Sequence, residues 1–307
     1  MTATTAPIPS TLSANLVCMA SMLIWAAGLP AADFIIPLLA SEQLTALRMG
    51  LAALALLPVW ALMEGPAALT RVNWIKGIFV GGLIGLGAWL LIIGQARGGA
   101  VTAAVISATL PVVGMAIEIL LDGRRVTRGL VLGIILSLAG GLAALDWAGG
   151  LSLGLGAVFC FGSVVTFTVG SRLTVTSFPA LSPIGRTTLT VTGAAIATGT
   201  VALIQVALGS PLPDFTPWGP AEYGALLAFS VGSFAISQLL WIMSVERLGI
   251  GLSALHINAA PFYVMVLLFL LGHGWSWVQA GAACLVALGV LIAQGIIGPH
   301  SFAKKTS

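Results

Sequence analysis

Polar and charged positions along the chain fall in short clusters that separate long apolar runs. A helix needs about 20 apolar residues to cross a bilayer. Ten runs of roughly that length are predicted as spans: 12–32, 42–63, 76–96, 99–121, 128–146, 151–171, 182–208, 221–245, 250–272 and 275–297. Arg48, Glu118 and Arg186 lie inside runs but near their ends, where long side chains are expected to reach the interface. The connections are short and leave no room for a soluble catalytic domain. The longest, around Gly209–Pro220, is rich in Pro and Gly.

Composition fits this picture. Of 307 residues, 59% are hydrophobic and 7% charged, against about 25% charged in soluble domains. Mean hydropathy is +1.10. No water-soluble core could hide so much apolar surface, so the expected solvent is lipid. The net charge of +3 does not imply a nucleic-acid partner, because the basic residues stand singly or in one short cluster between apolar runs. With a cytoplasmic N-terminus, Arg71, Lys76, Arg124, Arg125, Arg128, Arg172, Arg186, Arg247, Lys304 and Lys305 fall on the cytoplasmic side. Arg48 and Arg97 fall outside. An even span count then puts both termini in the cytoplasm. The stretch 1–32 has no charged residue and hence no basic n-region, so the first run is expected to remain as a span. Cys18, Cys160 and Cys284 lie in apolar runs and read as small hydrophobes.

A shift of 150 residues aligns Gly82 with Gly232, Arg97 with Arg247, Gly99 with Gly249 and Pro111 with Pro261. Past a small loop difference, Gly133 matches Gly281 and Gly141 matches Gly289. At another offset Arg48 pairs with Arg186. Each copy holds five spans, an odd number, so the second copy enters the membrane from the opposite side. The predicted fold is an all-α membrane protein. Its ten transmembrane helices form two inverted five-helix repeats, residues 1–148 and 149–307, with a substrate site between them near the midplane.

These features resemble the drug/metabolite transporter superfamily, EamA-like branch, over nearly the whole chain. They are the ten spans, the 5+5 repeat, an Arg early in the second span of each copy and Gly-rich final spans. Within it the chain is most similar to YddG-type aromatic amino-acid exporters. The resemblance implies export across the bacterial inner membrane through a central cavity lined chiefly by spans 1, 3, 4, 6, 8 and 9.

The residues themselves suggest where a solute could sit. Pro111 and Pro261 fall mid-span, where proline should free the carbonyls of Ser107 and Ile257. Such carbonyls at midplane depth suit a wet cavity. Ser253, His256 and Tyr263 share a face of span 9, with Asn258 on another. Phe234, Gln238 and Trp241 form a stripe on span 8, and Ser163 and Thr166 share a face of span 6. Cys18, Met22 and Trp25 do so on span 1, and Trp89 and Gln95 are candidates in span 3. Neutral hydrogen-bonding groups beside aromatic rings suit a zwitterion with an apolar side chain. Each has a plainer alternative. A Ser or Thr in a span commonly bonds its own helix. Trp60, Trp74, Trp147, Trp218, Trp275 and Trp277 read as interfacial belt residues.

Nucleotide sugars and phosphorylated metabolites would want several deep basic residues, and lipophilic cations a deep carboxylate. Neither pattern is visible, so small zwitterionic metabolites, above all amino acids, fit by elimination. Another neutral metabolite or drug stays open. Glu118 is expected to pair with Arg124 or Arg125. His256 alone makes no proton relay, which favours facilitated diffusion. A membrane-embedded enzyme would need a nucleophile with a base, a carboxylate pair or a metal site. No such cluster appears, and a non-transporting subunit leaves the repeat unexplained. No cofactor or metal is expected. The partners are the lipid bilayer and a small-molecule substrate, with monomer and dimer both open. The GxxxG patterns Gly81–Gly85 and Gly150–Gly154 are expected to serve internal packing.

Overall fold

The computed structural model describes residues 11–107, 109–143, 154–270, 274–275 and 277–297. The junction around residue 148, with Trp147 and Gly150, lies outside this set, as do His273 and the C-terminal lysines. The described residues form helices and short turns, with no strand among them. In order they are α1 (Thr11–Ala27), α2 (Leu29–Ile35), a 3-10 turn (Ile36–Leu38), α3 (Ser41–Glu64), α4 (Ala67–Thr70), α5 (Trp74–Ser107), α6 (Leu110–Asp122) and α7 (Arg128–Ala143). Then come α8 (Leu155–Ser177), α9 (Pro183–Ala207), α10 (Pro220–Leu227), a π-helical segment (Ala228–Ile236), α11 (Ser237–Leu248), α12 (Ile250–Ala254), a 3-10 segment (Leu255–Ala259), α13 (Ala260–Leu270) and α14 (Trp277–Ala293).

Among these, five helical stretches are long and apolar enough to cross a membrane. They are Ser41–Glu64, Trp74–Arg97, Leu155–Ser177, Pro183–Ala207 and Pro220–Leu248. Shorter apolar helices cover Thr11–Ala27, Arg128–Gly140, Ile250–Ala259 and Ala280–Ala293. Many large apolar side chains point outward, Leu62, Ile75 and Leu120 among them. That is the surface a multi-pass protein offers to lipid.

Two expected boundaries move. The loop between the third and fourth predicted spans, near Gly98–Gly99, is instead helical, and α5 continues to Ser107. At 34 residues it would be about 51 Å long, against a hydrocarbon thickness of about 30 Å; its first 24 residues have span character. Glycine tolerates the helical conformation, so nothing stops the helix there. It stops four residues ahead of Pro111, where the ring meets the i−4 carbonyl. Pro111 then sits in the first turn of α6, rather than kinking a continuous helix.

The ninth predicted span solves the same problem differently. Ahead of Pro261 the backbone tightens to a 3-10 segment, and the Ile257 carbonyl accepts from the Ala260 N–H. The acceptor expected to be free is therefore taken. Pro261 lies in the first turn of α13, its side chain outside the described set.

The helices pack in matched pairs: α3 on α9, α5 on α8 and α9, α1 on α11, α6 on α12, and α7 on α14. Close approach depends on missing side chains. A Cβ on Gly81 would fall on the Thr190 carbonyl of α9, whereas one on Gly82 would meet only Ala197 Cβ at 3.6 Å. The Gly81–Gly85 pattern thus packs inside the bundle.

One end of the bundle gathers the charged contacts that join the first half of the chain to the second. Asp122 pairs with Arg172, and its second oxygen accepts from Arg172 Nε at 3.1 Å. Lys76 Nζ donates to the Ser177 carbonyl at 2.9 Å, and Ser182 Oγ donates to Glu64. Glu118 pairs with Arg124, as expected, and also accepts the Gly251 N–H at 3.0 Å. The Arg172 guanidinium holds the Asp122 carboxyl below its ordinary range.

Candidate functional site

Between the two halves lies a partly open cavity, whose outline encloses about 710 Å³ with open solvent at its mouth included. Its wall takes Ser21, Met22 and Trp25 from α1, Arg48 from α3, and Gly87, Ala88 and Leu91 from α5. Ser107 and Leu110 come from the break between α5 and α6, and Ser163, Val164 and Phe167 from α8. Phe234, Ser237, Gln238 and Trp241 come from the eighth predicted span, and Ile257 from the ninth. These residues fall in predicted spans 1, 3, 4, 6, 8 and 9, with one more, Arg48, in the second.

Of the sequence candidates, Trp25, Ser107, Ser163, Gln238 and Trp241 line this cavity. Trp241 is buried, donates its indole N–H to Ser171 Oγ at 3.1 Å, and packs against Phe167 with centroids 6.1 Å apart. Gln238 is buried, and its Nε2 has no partner. The Trp25 carbonyl accepts from Ser233 Oγ at 3.2 Å, which ties α1 to the π segment.

Other candidates go elsewhere. Trp89 faces a separate depression beside Glu42 and Thr198, and donates to Ser41 Oγ at 3.2 Å. Gln95 is half-buried and does not line the cavity. Thr166 donates to the Gly162 carbonyl of its own helix at 2.9 Å, leaving its neighbour Phe167 on the wall. Pro111 is buried in the turn behind Leu110. The span-9 stripe turns away from the cavity. Ser253 accepts at its carbonyl from Cys18, and its hydroxyl is buried without a partner. His256 Nδ1 lies 3.3 Å from the Leu252 carbonyl. Asn258 donates to Ser137 Oγ of α7 at 3.0 Å. Tyr263 packs in the apolar cluster with Met22 and Trp241. Within the 3-10 segment Leu255–Ala259, with three residues per turn, Ile257 and not His256 reaches the wall.

The charged residues thought to reach the interface are buried instead: Arg48 is 4%, Glu118 5% and Arg186 4% exposed. Arg186 pairs with Glu246 at 3.1 Å and donates to the Leu181 carbonyl. Arg48 stands seven residues into α3, about 10 Å from its start, and its guanidinium carbon lies 3.9 Å from the Phe229 ring centroid and 4.8 Å from that of Phe234. Both rings come from the π segment, whose wider turn breaks the α-helical spacing and presents them together. Counting from the start of the run to Arg48 was the available signal for its depth. Trp60, assigned to the interfacial belt, is also fully buried, with its N–H on Glu64 at 3.0 Å. Trp277, by contrast, is exposed.

No curated protein matches the chain. A solved crystal structure of a protein is similar with a TM-score of 0.73 and 22% sequence identity. The match covers 92% of this chain and 98% of that one, a likeness that shows a shared fold. Residues 12–145 match the EamA-like transporter family. The sequence, the helices and this match together make the chain a multi-pass membrane protein whose first half is similar to EamA-like transporters of the drug/metabolite transporter superfamily.

Proposed function

We propose that the chain is an alternating-access transporter that exports small zwitterionic metabolites, most of all amino acids with aromatic or other neutral side chains, across the bacterial inner membrane. It would do so as ten spans in two inverted repeats, 1–148 and 149–307, with both termini cytoplasmic. The observation that carries this reading is the partly open cavity whose wall is shared between the two halves. Rings of Trp25, Phe167 and Trp241 suit an apolar side chain, and Ser163 and Gln238 suit a polar end. The inverted repeat is supported by the packing. Exchanging each span for its counterpart five along turns the α5–α8 pair into the α11–α1 pair, and maps α3–α9, α6–α12 and α7–α14 onto themselves. The family match, 12–145, falls within the first proposed repeat.

Lys76, Arg124 and Arg172 mark the basic end of the bundle, and the polar contacts there join the halves. In this reading they are the shut gate of one conformation. No carboxylate lines the cavity among the described residues, and His256 lies off it. Transport is therefore facilitated diffusion down the solute gradient. The test is uptake of labelled amino acids by liposomes holding the purified protein, with and without a pH gradient. Saturable uptake of neutral amino acids, unaffected by the gradient, is expected. Folded protein that moves none of them overturns the assignment.

A further inference from the structure

We infer that Arg48 is the anchor for an anionic end of the solute, so that the cavity takes small monocarboxylates with an apolar or aromatic body whether or not they carry an amine. This rests on the transporter reading of the cavity and names the chemistry of its ligand.

A guanidinium carries five N–H donors and stays charged. Its carbon lies over the rings of Phe229 and Phe234, which accept no in-plane hydrogen bonds. Its Nε is buried without a partner, and no carboxylate among the described residues pairs with it. The repeat counterpart shows what a purely structural arginine looks like here. Arg186 is buried to the same degree, yet it is neutralised by Glu246 and hydrogen-bonded to the Leu181 carbonyl. Arg48 instead lines a cavity with donors to spare.

The second unpartnered polar atom on the wall is also an N–H donor, Gln238 Nε2. Gln238 stands one helical turn past Phe234, whose ring touches Arg48. Two buried donors without partners, one from each half of the chain, thus face the same cavity, in the low-dielectric setting where a bond to a carboxylate is strongest. No Asp or Glu lines the wall among the described residues, so an ammonium meets only rings and hydroxyls there, weaker partners than a carboxylate. Recognition therefore depends on the acid more than on the amine.

The experiment is calorimetric titration of the purified full chain in detergent with phenylalanine, 3-phenylpropionate and phenethylamine. The first two should bind within about tenfold of each other, and phenethylamine at least about tenfold more weakly. Arg48→Met should weaken both acids by at least about tenfold, and Arg48→Lys by less. Phenethylamine binding as tightly as 3-phenylpropionate overturns the inference. So does wild-type affinity for the acids in an Arg48→Met protein of unchanged elution and melting. If that variant does not fold, the wild-type ligand series decides alone. Acid binding by a protein that transports nothing in liposomes overturns the transporter reading and leaves the anchor. Transport of a neutral solute by a protein that binds neither acid overturns the anchor and leaves the transporter.

Discussion

Replacing Glu118 by alanine removes the most enclosed of the polar contacts that join the two halves at the basic end. The Glu118 side chain is buried, and its carboxylate accepts the buried Gly251 N–H at 3.0 Å, a charge-assisted bond worth about 1.5–3 kcal/mol. The Asp122–Arg172 pair is more open, its Asp side chain being 45% exposed, and exposed pairs contribute about 0–1 kcal/mol. The Lys76 contact to Ser177 is also exposed. In the transporter reading Glu118 therefore dominates the closure. If this bond exists only while the basic end is shut, its loss shifts the balance between shut and open by roughly 10- to 100-fold. The assay is labelling of a cysteine at Ser163 by a membrane-impermeant thiol reagent, added from the basic side of oriented vesicles. Cys284 is replaced because it is exposed, while Cys18 and Cys160 are buried. Glu118→Ala should raise the labelling rate far more than Arg172→Gln does. Equal effects from the two, or no change with Glu118→Ala, would refute this weighting of the gate.

Three further outcomes follow from the same geometry. Gly81→Ala should destabilise by about 1–3 kcal/mol through overpacking against the α9 backbone. Gly82→Ala should be neutral or slightly stabilising, as alanine is the better helix former; thermal melting in detergent distinguishes them. Trp241→Phe loses the bond to Ser171 and should weaken solute binding roughly 3- to 10-fold. Trp89→Phe, on a separate depression, should leave it unchanged; titration of both variants checks this. Because Arg172 depresses the Asp122 carboxyl, the contribution of that pair is complete above the ordinary carboxylate value of 3.8 and is lost only as pH falls through the lower folded value. The difference in melting temperature between wild type and Asp122→Asn should accordingly be flat from pH 5 to pH 8 and vanish in acid.

The apolar runs located the helices well where both ends carry a chemical stop. α9 begins at Ser182–Pro183, whose serine hydroxyl accepts the Gly185 N–H at 3.1 Å. α6 ends before Gly123, at φ 64°. Gly98–Gly99 misled because glycine permits a turn without requiring one, and the helix there ran on to the next proline. The site was legible in part. The stripe on the eighth span put Phe234, Gln238 and Trp241 on one face, and all three line the cavity. The corresponding stripe on the ninth span failed, since α-helical spacing does not hold across Leu255–Ala259, where the backbone is 3-10.

Composition and periodicity alone determined that this chain lives in lipid and that it is helical, because transfer free energy and backbone satisfaction act locally along the chain. What only the tertiary structure decided is which polar groups are left with something to bind. Arg48 and Arg186 look alike in sequence, yet one meets a carboxylate from a distant helix and the other meets two rings and a cavity. The net charge and hydrogen-bonding state of a buried group depend on neighbours brought in from far along the chain, and no local pattern encodes them.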